Sequence, residues 1–117
     1  MITKNQIKFF KDFGYLTISN LFKKNEIEKC LNSAKKIQRT SDKKIYKYFE
    51  KSFFNRKKNI LIRAENFYNI DLNLTNIIKN KDILEILEKL FRDKEIVFKE
   101  KINYKPPGSR NDKLHQD

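Results

Sequence analysis

The chain opens with an amphipathic stretch, Lys4–Phe13, whose apolar residues recur at the three- and four-residue spacing of a helix with one buried face. Thr3 stands where it can cap the first turn, and Gly14 stands where it can end the last. The apolar residues of Tyr15–Ile18 then favour a short strand. This helix, glycine and strand predict an N-terminal structural unit to which no chemistry is assigned.

The same spacing predicts two further helices. One covers Asn25–Arg39, with Asn25 as its cap and a stripe of apolar residues that is expected to be buried. That stripe comprises Ile27, Cys30, Leu31, Ala34 and Ile37. The other covers Asp82–Phe91, has a broad apolar face, and begins at Asn80 or Asp82 as its cap. Leu72–Asn80 is predicted to be a short helix or a turn.

A strand is predicted over Ile60–Phe67, where side chains alternate between two faces. Ile60, Ile62 and Ala64 share one face, and Leu61, Arg63 and Glu65 share the other. Arg63 is a cation in an otherwise apolar strand, and burying its charge without an anion is costly. A bound dicarboxylate would supply that anion. An ion pair with Glu65 or another neighbour is the structural alternative.

The longest predicted strand is Glu95–Lys105, which the prolines of Pro106–Gly108 end because proline cannot donate to a β-ladder. One face of this strand is mostly polar and carries Val97, Lys99, Lys101, Asn103 and Lys105. Such a face suits the lining of a polar cavity. A solvated face, which is common in antiparallel sheets, is the alternative.

Composition limits the class of protein. A chain of 117 residues forms one domain at most and buries a modest core. Its single cysteine, Cys30, excludes an internal disulfide, and its place on the helical stripe makes it a core residue rather than a nucleophile. The sequence has no apolar run long enough for a membrane span and no apolar core of a secretory signal. A cytoplasmic protein without a membrane partner is expected.

The positive charge of the chain suggests nucleic-acid binding as a second class of function. The formal net charge is +12 and the calculated pI is about 9.8. The segment 40–58 interleaves lysines with tyrosines and phenylalanines, a pattern typical of a single-stranded nucleic-acid-binding module. Because the cations are 22 lysines and 5 arginines, and base readout favours arginine, nucleic acid is an unlikely partner. The structural alternative is a loop and short helix with inward aromatics.

The last residues contain a possible metal-binding pair. In an extended strand His115 and Asp117 point to the same face, so an imidazole and a carboxylate can converge on one ion. Two histidines and one carboxylate form the facial triad of non-haem Fe(II) oxygenases. His115 is the one histidine of the chain, so the second imidazole has no source here. A frayed polar terminus is the structural alternative.

The residues Asn103-Tyr-Lys-Pro-Pro-Gly108, followed by His115-Gln-Asp117, resemble the phytanoyl-CoA dioxygenase family. Phe13–Ile18 and Arg63–Phe67 are similar to upstream stretches of the same family. The resemblance implies an Fe(II)- and 2-oxoglutarate-dependent dioxygenase with a double-stranded β-helix, or jelly-roll, core. It covers nearly the whole chain and is weakest between Thr40 and Asn59.

The resemblance implies that residues 1–117 are a single partial domain of α+β class. They would comprise the N-terminal helices and first strands of an incomplete jelly-roll, with the C-terminal half absent. The second histidine ligand and the principal 2-oxoglutarate-binding arginine of the family are missing from this sequence. Whether the chain is itself an enzyme is therefore uncertain, and we expect it to be inactive alone. A complementing C-terminal fragment is an expected partner, and the substrate is an unidentified small organic molecule.

The family also implies roles for particular residues. His115 and Asp117 match the metal ligands, so they would bind Fe(II). Arg63 occupies the place of a basic residue that contacts 2-oxoglutarate, although well-known members have lysine there. Lys101 lies where the family places a neighbour of 2-oxoglutarate, and Lys105 is the family's characteristic lysine before Pro-Pro. Both are therefore expected to bind the co-substrate. The segment 40–58 would lie beside the entrance to the site, where it could touch the substrate.

Overall fold

The computed structural model describes residues 2–111, in which helices and an antiparallel sheet alternate along the chain. The elements are α1 Lys4–Phe13, α2 Lys24–Arg39, β1 Tyr46–Lys51, β2 Asn59–Glu65, α3 Leu72–Ile78, α4 Lys81–Phe91 and β3 Lys101–Asn103. A chain that contains both helices and an antiparallel sheet is of α+β class, in agreement with the predicted class. Within residues 2–111, no helix is both long enough and apolar enough to cross a bilayer.

These elements divide between two compact units. The helical unit consists of the described residues of Met1–Ser33 and Tyr68–Phe98, and it holds α1, α3, α4 and the first turns of α2. The sheet unit consists of the described residues of Ala34–Phe67 and Lys99–Asp117. It holds the last turns of α2 and the three strands of the described chain.

In the helical unit, α1 has the bounds that the sequence predicted. Thr3 and Gln6 form a capping box: the Gln6 amide donates to Thr3 Oγ1 at 3.2 Å, and the Thr3 amide donates to Gln6 Oε1 at 2.9 Å. Gly14 ends the helix in the left-handed conformation, with φ of 77°. The Phe10 ring meets the Phe91 ring of α4 edge to face, with centroids 5.7 Å apart.

The helices α3 and α4 also begin at local caps. Asn80 Oδ1 accepts the backbone amides of Asp82 and Ile83 at 2.9 and 3.2 Å, so Asn80 is the cap of α4. The Asp71 carboxylate caps α3 by accepting the Leu74 amide at 3.1 Å. The short helix and the firm helix predicted for this part of the chain are both confirmed.

Helix α2 departs from its prediction at two points. It begins at Lys24, so Asn25 lies inside the first turn, and the Lys23 amide donates to Glu26 Oε2 at 2.8 Å. The apolar stripe is buried at Ile37, but Ile27 and Leu31 are about half exposed. Periodicity identified the helix correctly, but it overstated how much of the stripe is covered.

Cys30 is half-buried on α2, and its Sγ lies 3.5 Å from the carbonyl oxygen of Asn73. Burial, followed by the negative charges of Asp71 and Glu26, raises the pKa of this thiol above its ordinary value. The thiolate is therefore scarce at neutral pH, as befits a structural cysteine.

The sheet unit is built on three antiparallel strands in the order β1–β2–β3. Arg63 on the central strand lies opposite Tyr48 on one side and Asn103 on the other. Tyr48 pairs with Arg63 and the next residue, Phe49, pairs with Leu61, so Ile62 is the extra residue of a bulge. This bulge breaks the simple alternation that the sequence predicted for β2.

The strand β3 covers three residues rather than the predicted Glu95–Lys105. Its pairing begins where Lys101 meets Glu65, the last residue of β2. The next residue, Asn66, takes a left-handed conformation with φ of 63° and turns the chain away. Within residues 2–111 the β2–β3 ladder therefore begins at Lys101, and Phe98, which precedes it, is 95% exposed.

Two other strand predictions also differ from the structure. Tyr15–Ile18 is not a strand, since no described segment pairs with it. In contrast, the segment 40–58 was expected to be a loop and short helix, but it contains β1 and the hairpin turn to β2. Cross-strand pairing, which a single segment does not encode, decides both cases.

The last turns of α2 are tied to the sheet by polar contacts. The Tyr104 hydroxyl donates to the Ala34 carbonyl at 2.7 Å, and burial raises the pKa of this phenol. Lys47 Nζ donates to the carbonyls of Gln38 and Thr40 where α2 ends. The buried apolar residues of this unit are Ile37, Ile45, Ile60, Leu61, Ala64 and Phe67.

Candidate functional site

Arg63 contacts two side chains of its own sheet, Glu65 and Tyr48. Its Nε lies 3.0 Å from Glu65 Oε1, an ion pair that lacks the alignment of a hydrogen bond. Its guanidinium carbon lies 4.2 Å from the centre of the Tyr48 ring, a cation–π contact. The side chain is 37% exposed, so Arg63 is neither turned out to bulk water nor sealed in the core.

Glu65 is the anion that offsets the cost of placing the Arg63 charge in the sheet. It is 5% exposed, and it contacts three donors: Arg63 Nε, the Tyr48 hydroxyl at 3.1 Å and Lys99 Nζ at 3.1 Å. Burial alone would raise the pKa of Glu65, but hydrogen bonds from Lys99 and Tyr48 and the charge of Arg63 outweigh it and lower the pKa. The alternative ion pair with Glu65 is therefore present.

A cavity of about 380 Å³ lies within the sheet unit, over the side of the sheet that carries Arg63. Its walls come from all three strands and from the chain that follows β3. The lining residues are Tyr48, Phe49, Glu50, Ile62, Arg63, Lys101, Asn103, Tyr104, Lys105, Ser109 and Arg110. The three residues predicted to contact a co-substrate, Arg63, Lys101 and Lys105, thus line one cavity.

The chain after β3 is fastened to the β1–β2 hairpin. The Gly108 carbonyl accepts a hydrogen bond from the Phe53 amide at 2.7 Å. Gly108 itself has a left-handed backbone conformation, with φ of 89°. A β-carbon on Gly108 would lie 2.5 Å from Ser52 Oγ, so only glycine allows this close approach. Two residues later, the Arg110 amide donates to Glu50 Oε1 at 3.0 Å, and Arg110 Nε lies 3.3 Å from Glu50 Oε2.

The electrostatic character of the cavity is cationic. Its lining carries four cations against one carboxylate, Glu50. The cations are Arg63, Lys101, Lys105 and Arg110. Arg63 contacts Glu65 and Arg110 contacts Glu50, whereas Lys101 has no ion-pair partner within residues 2–111. Because cations outnumber carboxylates in this lining, the cavity favours anionic ligands over cationic ones.

The metal-binding prediction concerns residues that lie outside the described part of the chain. His115 and Asp117 are both beyond Asn111. Within residues 2–111, no group of three or more His, Cys, Asp or Glu side chains is arranged to hold a metal ion.

Sequence reasoning missed several residues of the cavity. Glu50, Ser109 and Arg110 were assigned no role, and Tyr48 was predicted only as one aromatic of the segment 40–58 that was expected beside a site entrance. The useful signal was the polar face of the last strand, which brought Lys101, Asn103 and Lys105 together. The turn that returns Arg110 to Glu50 has no such signal, because the contact joins residues sixty positions apart.

Comparison with known proteins identifies the class of this chain. Residues 10–117 match the family model described as phytanoyl-CoA dioxygenase. A probable alpha-ketoglutarate-dependent hypophosphite dioxygenase from Stutzerimonas stutzeri is 26% identical over 117 residues, which is 96% of this chain and 40% of the relative. A 2-aminoethylphosphonate dioxygenase from the uncultured bacterium HF130_AEPn_1 is 34% identical over 71 residues, which is 61% of this chain and 27% of the relative.

The chain spans less than half the length of either curated relative. No solved structure matches it significantly. The family model nevertheless extends over almost the whole sequence and includes every residue of the cavity. The prediction from the Pro-Pro-Gly and His-x-Asp segments is thereby confirmed: the chain belongs to the phytanoyl-CoA dioxygenase family.

Proposed function

We propose that this chain is the N-terminal part of an Fe(II)- and 2-oxoglutarate-dependent dioxygenase that hydroxylates a small organic substrate. The observation that supports the proposal is the convergence of Arg63, Lys101 and Lys105 on one cavity. The sequence alone predicts a co-substrate contact for all three residues, and they come from two different strands and the segment after β3. Membership of the family supports the reaction type.

The cavity suits 2-oxoglutarate because the co-substrate is a dicarboxylate and the lining is rich in cations. Arg63 offers a planar, permanently charged donor whose position is set by Glu65 and Tyr48. Lys101 and Lys105 add flexible ammonium donors from β3 and the residues after it. In this proposal the three side chains bind and orient the co-substrate. They take no part in proton transfer.

Iron is assigned to His115 and Asp117, and when bound it would supply the oxidising chemistry of the family. A facial triad needs another imidazole, which we propose is supplied by polypeptide beyond this sequence, either a continuation or a complementing C-terminal fragment. The jelly-roll of which β1–β3 would be the first strands is then completed by the same polypeptide. A cytoplasmic location stays a prediction.

The curated relatives suggest which substrates to try first. Their names specify hypophosphite and 2-aminoethylphosphonate, both small phosphorus compounds. We propose small phosphorus compounds as the first substrate class to test.

Titration of the 117-residue chain with 2-oxoglutarate, followed by NMR amide shifts, tests the proposed binding site. Lys101→Gln removes one cavity charge and is expected to weaken binding about two- to fivefold, the contribution of one exposed ion pair. Lys51→Gln is the matched control, because Lys51 is exposed in the same unit and lies outside the cavity lining. Equal affinities of the two variants would place the co-substrate elsewhere.

Turnover measurements test separately whether the 117-residue chain needs further polypeptide for activity. With Fe(II), 2-oxoglutarate and oxygen, the chain alone is expected to bind iron weakly and to release no succinate, since it contains one histidine. Addition of the complementing polypeptide is expected to restore 2-oxoglutarate consumption. Sustained coupling of 2-oxoglutarate loss to oxygen uptake by the 117-residue chain would contradict the proposed dependence on further polypeptide.

Single-stranded nucleic-acid binding is the second candidate function, because the β1–β2 hairpin exposes aromatic rings among its lysines. The inward packing expected for its aromatics is wrong: Phe49, Phe53 and Phe54 are 58%, 75% and 78% exposed. Exposed rings among lysines can stack on bases. Filter binding of a thymidine oligonucleotide across salt concentrations tests this function, with Phe53→Ala compared to Phe13→Ala in the helical unit. Weak binding that is equal in both variants would exclude it.

A further inference from the structure

Glu65 is a buried carboxylate that contacts residues of the cavity lining without lining the cavity itself. Its Oε1 lies 3.0 Å from Arg63 Nε and 3.1 Å from Lys99 Nζ, and its Oε2 accepts the Tyr48 hydroxyl at 3.1 Å. Burial alone would raise its pKa, but the contacts with Lys99, Tyr48 and Arg63 lower it, so the group is ionised at neutral pH. Both carboxylate oxygens are therefore held by donors from separate segments of the sheet unit.

The guanidinium of Arg63 is fixed by two contacts of different kinds. The ion pair with Glu65 engages Nε, and the ring of Tyr48 lies against the guanidinium, whose carbon is 4.2 Å from the ring centre. A guanidinium has five N–H donors, and four of them belong to the two terminal nitrogens, which this ion pair does not use. Pairing of both terminal nitrogens with one carboxylate requires a defined orientation of the guanidinium plane.

We infer that Glu65 is a positioning residue for co-substrate binding, which holds the Arg63 guanidinium in the orientation that pairs its terminal nitrogens with a carboxylate of 2-oxoglutarate. This inference rests on the proposed function and adds to that site a residue from outside the cavity lining. Lys99 and Tyr48 contribute through Glu65, because their contacts hold its carboxylate in place. A side chain that is already ordered loses less rotamer entropy when it binds a ligand.

A positioning role and a purely electrostatic role of Glu65 predict effects of opposite sign. The negative charge of Glu65 repels an anion in the neighbouring cavity, so its removal would strengthen 2-oxoglutarate binding if charge alone mattered. If Glu65 instead positions Arg63, its removal frees the arginine side chain, which must then be ordered when the co-substrate binds. Binding should in that case weaken, although a repelling charge has been removed.

Calorimetric titration of the full chain with 2-oxoglutarate tests the inference in wild type, Glu65→Gln, Arg63→Gln and the double variant. Glu65→Gln is expected to weaken binding about three- to tenfold, the range of coupling between residues in contact. In the Arg63→Gln background the same change should not weaken binding and should strengthen it slightly, because the charge of Glu65 is the part of its effect that remains. Glu28→Gln removes an exposed carboxylate from the helical unit and should leave the affinity unchanged.

The result in the Arg63→Gln background separates positioning from structure. Equal weakening by Glu65→Gln in both backgrounds would show a role in the stability of the sheet unit, and the inference would be wrong. Unchanged or stronger binding by Glu65→Gln when Arg63 is present would overturn it as well. In both of these cases wild type still binds 2-oxoglutarate, so the proposed function stands. If wild type does not bind 2-oxoglutarate, the proposed function fails, and the inference fails with it.

Tyr48→Phe is a second variant that tests the same inference if NMR amide signals of β2 show that Glu65→Gln does not fold. It keeps the ring against the guanidinium and removes the hydroxyl that donates to Glu65. It is expected to weaken 2-oxoglutarate binding about twofold when Arg63 is present and not to weaken it in the Arg63→Gln background. Equal affinities of Tyr48→Phe and wild type would overturn the inference.

Discussion

Replacing Gly108 by alanine tests the close approach that holds the Pro-Pro-Gly turn against the β1–β2 hairpin. Two costs add at this position. Gly108 has φ of 89°, and a left-handed conformation costs an L-residue about 1–2 kcal/mol. The new β-carbon would also lie 2.5 Å from Ser52 Oγ and 3.1 Å from Phe54 Cδ2, and overpacking of this kind costs about 1–3 kcal/mol. We expect Gly108→Ala to destabilise the sheet unit by about 2–5 kcal/mol.

Two matched comparisons separate these costs. Gly14 also has a positive φ, 77°, but nothing lies within 4 Å of the β-carbon it would gain. Gly14→Ala should therefore cost its unit only the conformational term of about 1–2 kcal/mol. In a Ser52→Ala background the nearest obstructing atom is gone, so adding Gly108→Ala should cost less than it does beside the native serine.

Urea unfolding followed by NMR amide signals of β2 measures the sheet unit itself, and signals of α1 report on Gly14→Ala. The free energies of unfolding of wild type, both single variants and the Ser52→Ala, Gly108→Ala double variant complete the cycle. A Gly108→Ala cost that is the same with and without Ser52 Oγ would refute the steric part of this reasoning. A cost near zero would refute both parts.

Three further predictions concern a cap, a carboxylate and a thiol. Asn80→Ala should destabilise the helical unit by about 1 kcal/mol in urea unfolding, because two amides of α4 lose their acceptor, whereas Asn80→Asp should be near neutral. The pKa of Glu65 is lowered in the folded state, so its carboxylate stabilises the fold above the ordinary Glu pKa of about 4.3, and this stabilisation is lost as pH falls through the folded value. The stability difference between wild type and Glu65→Gln should accordingly shrink on acidification, and a constant difference would contradict the ion-pair assignment. Cys30 should react with iodoacetamide at pH 8 more slowly than free cysteine, since its pKa is raised; an equal or faster rate would show an accessible thiolate.

Local chemistry explains why the helices were predictable. The Thr3 capping box, Gly14 and the Asn80 cap each act within a few residues, so their effects can be read from neighbouring letters. The lysine-bearing face of the last strand was predictable for a similar reason, since alternation along a strand fixes which side chains share a side. Family membership followed from short segments whose spacing is itself local.

The tertiary structure decided everything that depends on a partner strand. Asn66 ends β2, and β3 therefore stops at Lys101 instead of running back to Glu95. The bulge at Ile62 comes from the register with β1, which neither strand specifies by itself. The contacts of Arg63 with Tyr48 and of Glu50 with Arg110 join distant parts of the sequence.

The sequence by itself thus determined the helices, the polar strand face, the family and the three cations now found at one cavity. The fold alone decided how the charges of the cavity are balanced: Glu65 contacts Arg63, Glu50 contacts Arg110, and Lys101 has no ion-pair partner within residues 2–111. The physical reason is range. Propensity, capping and alternation act within a few residues, whereas the balance of charge in a cavity depends on which distant side chains the register brings within a few ångströms.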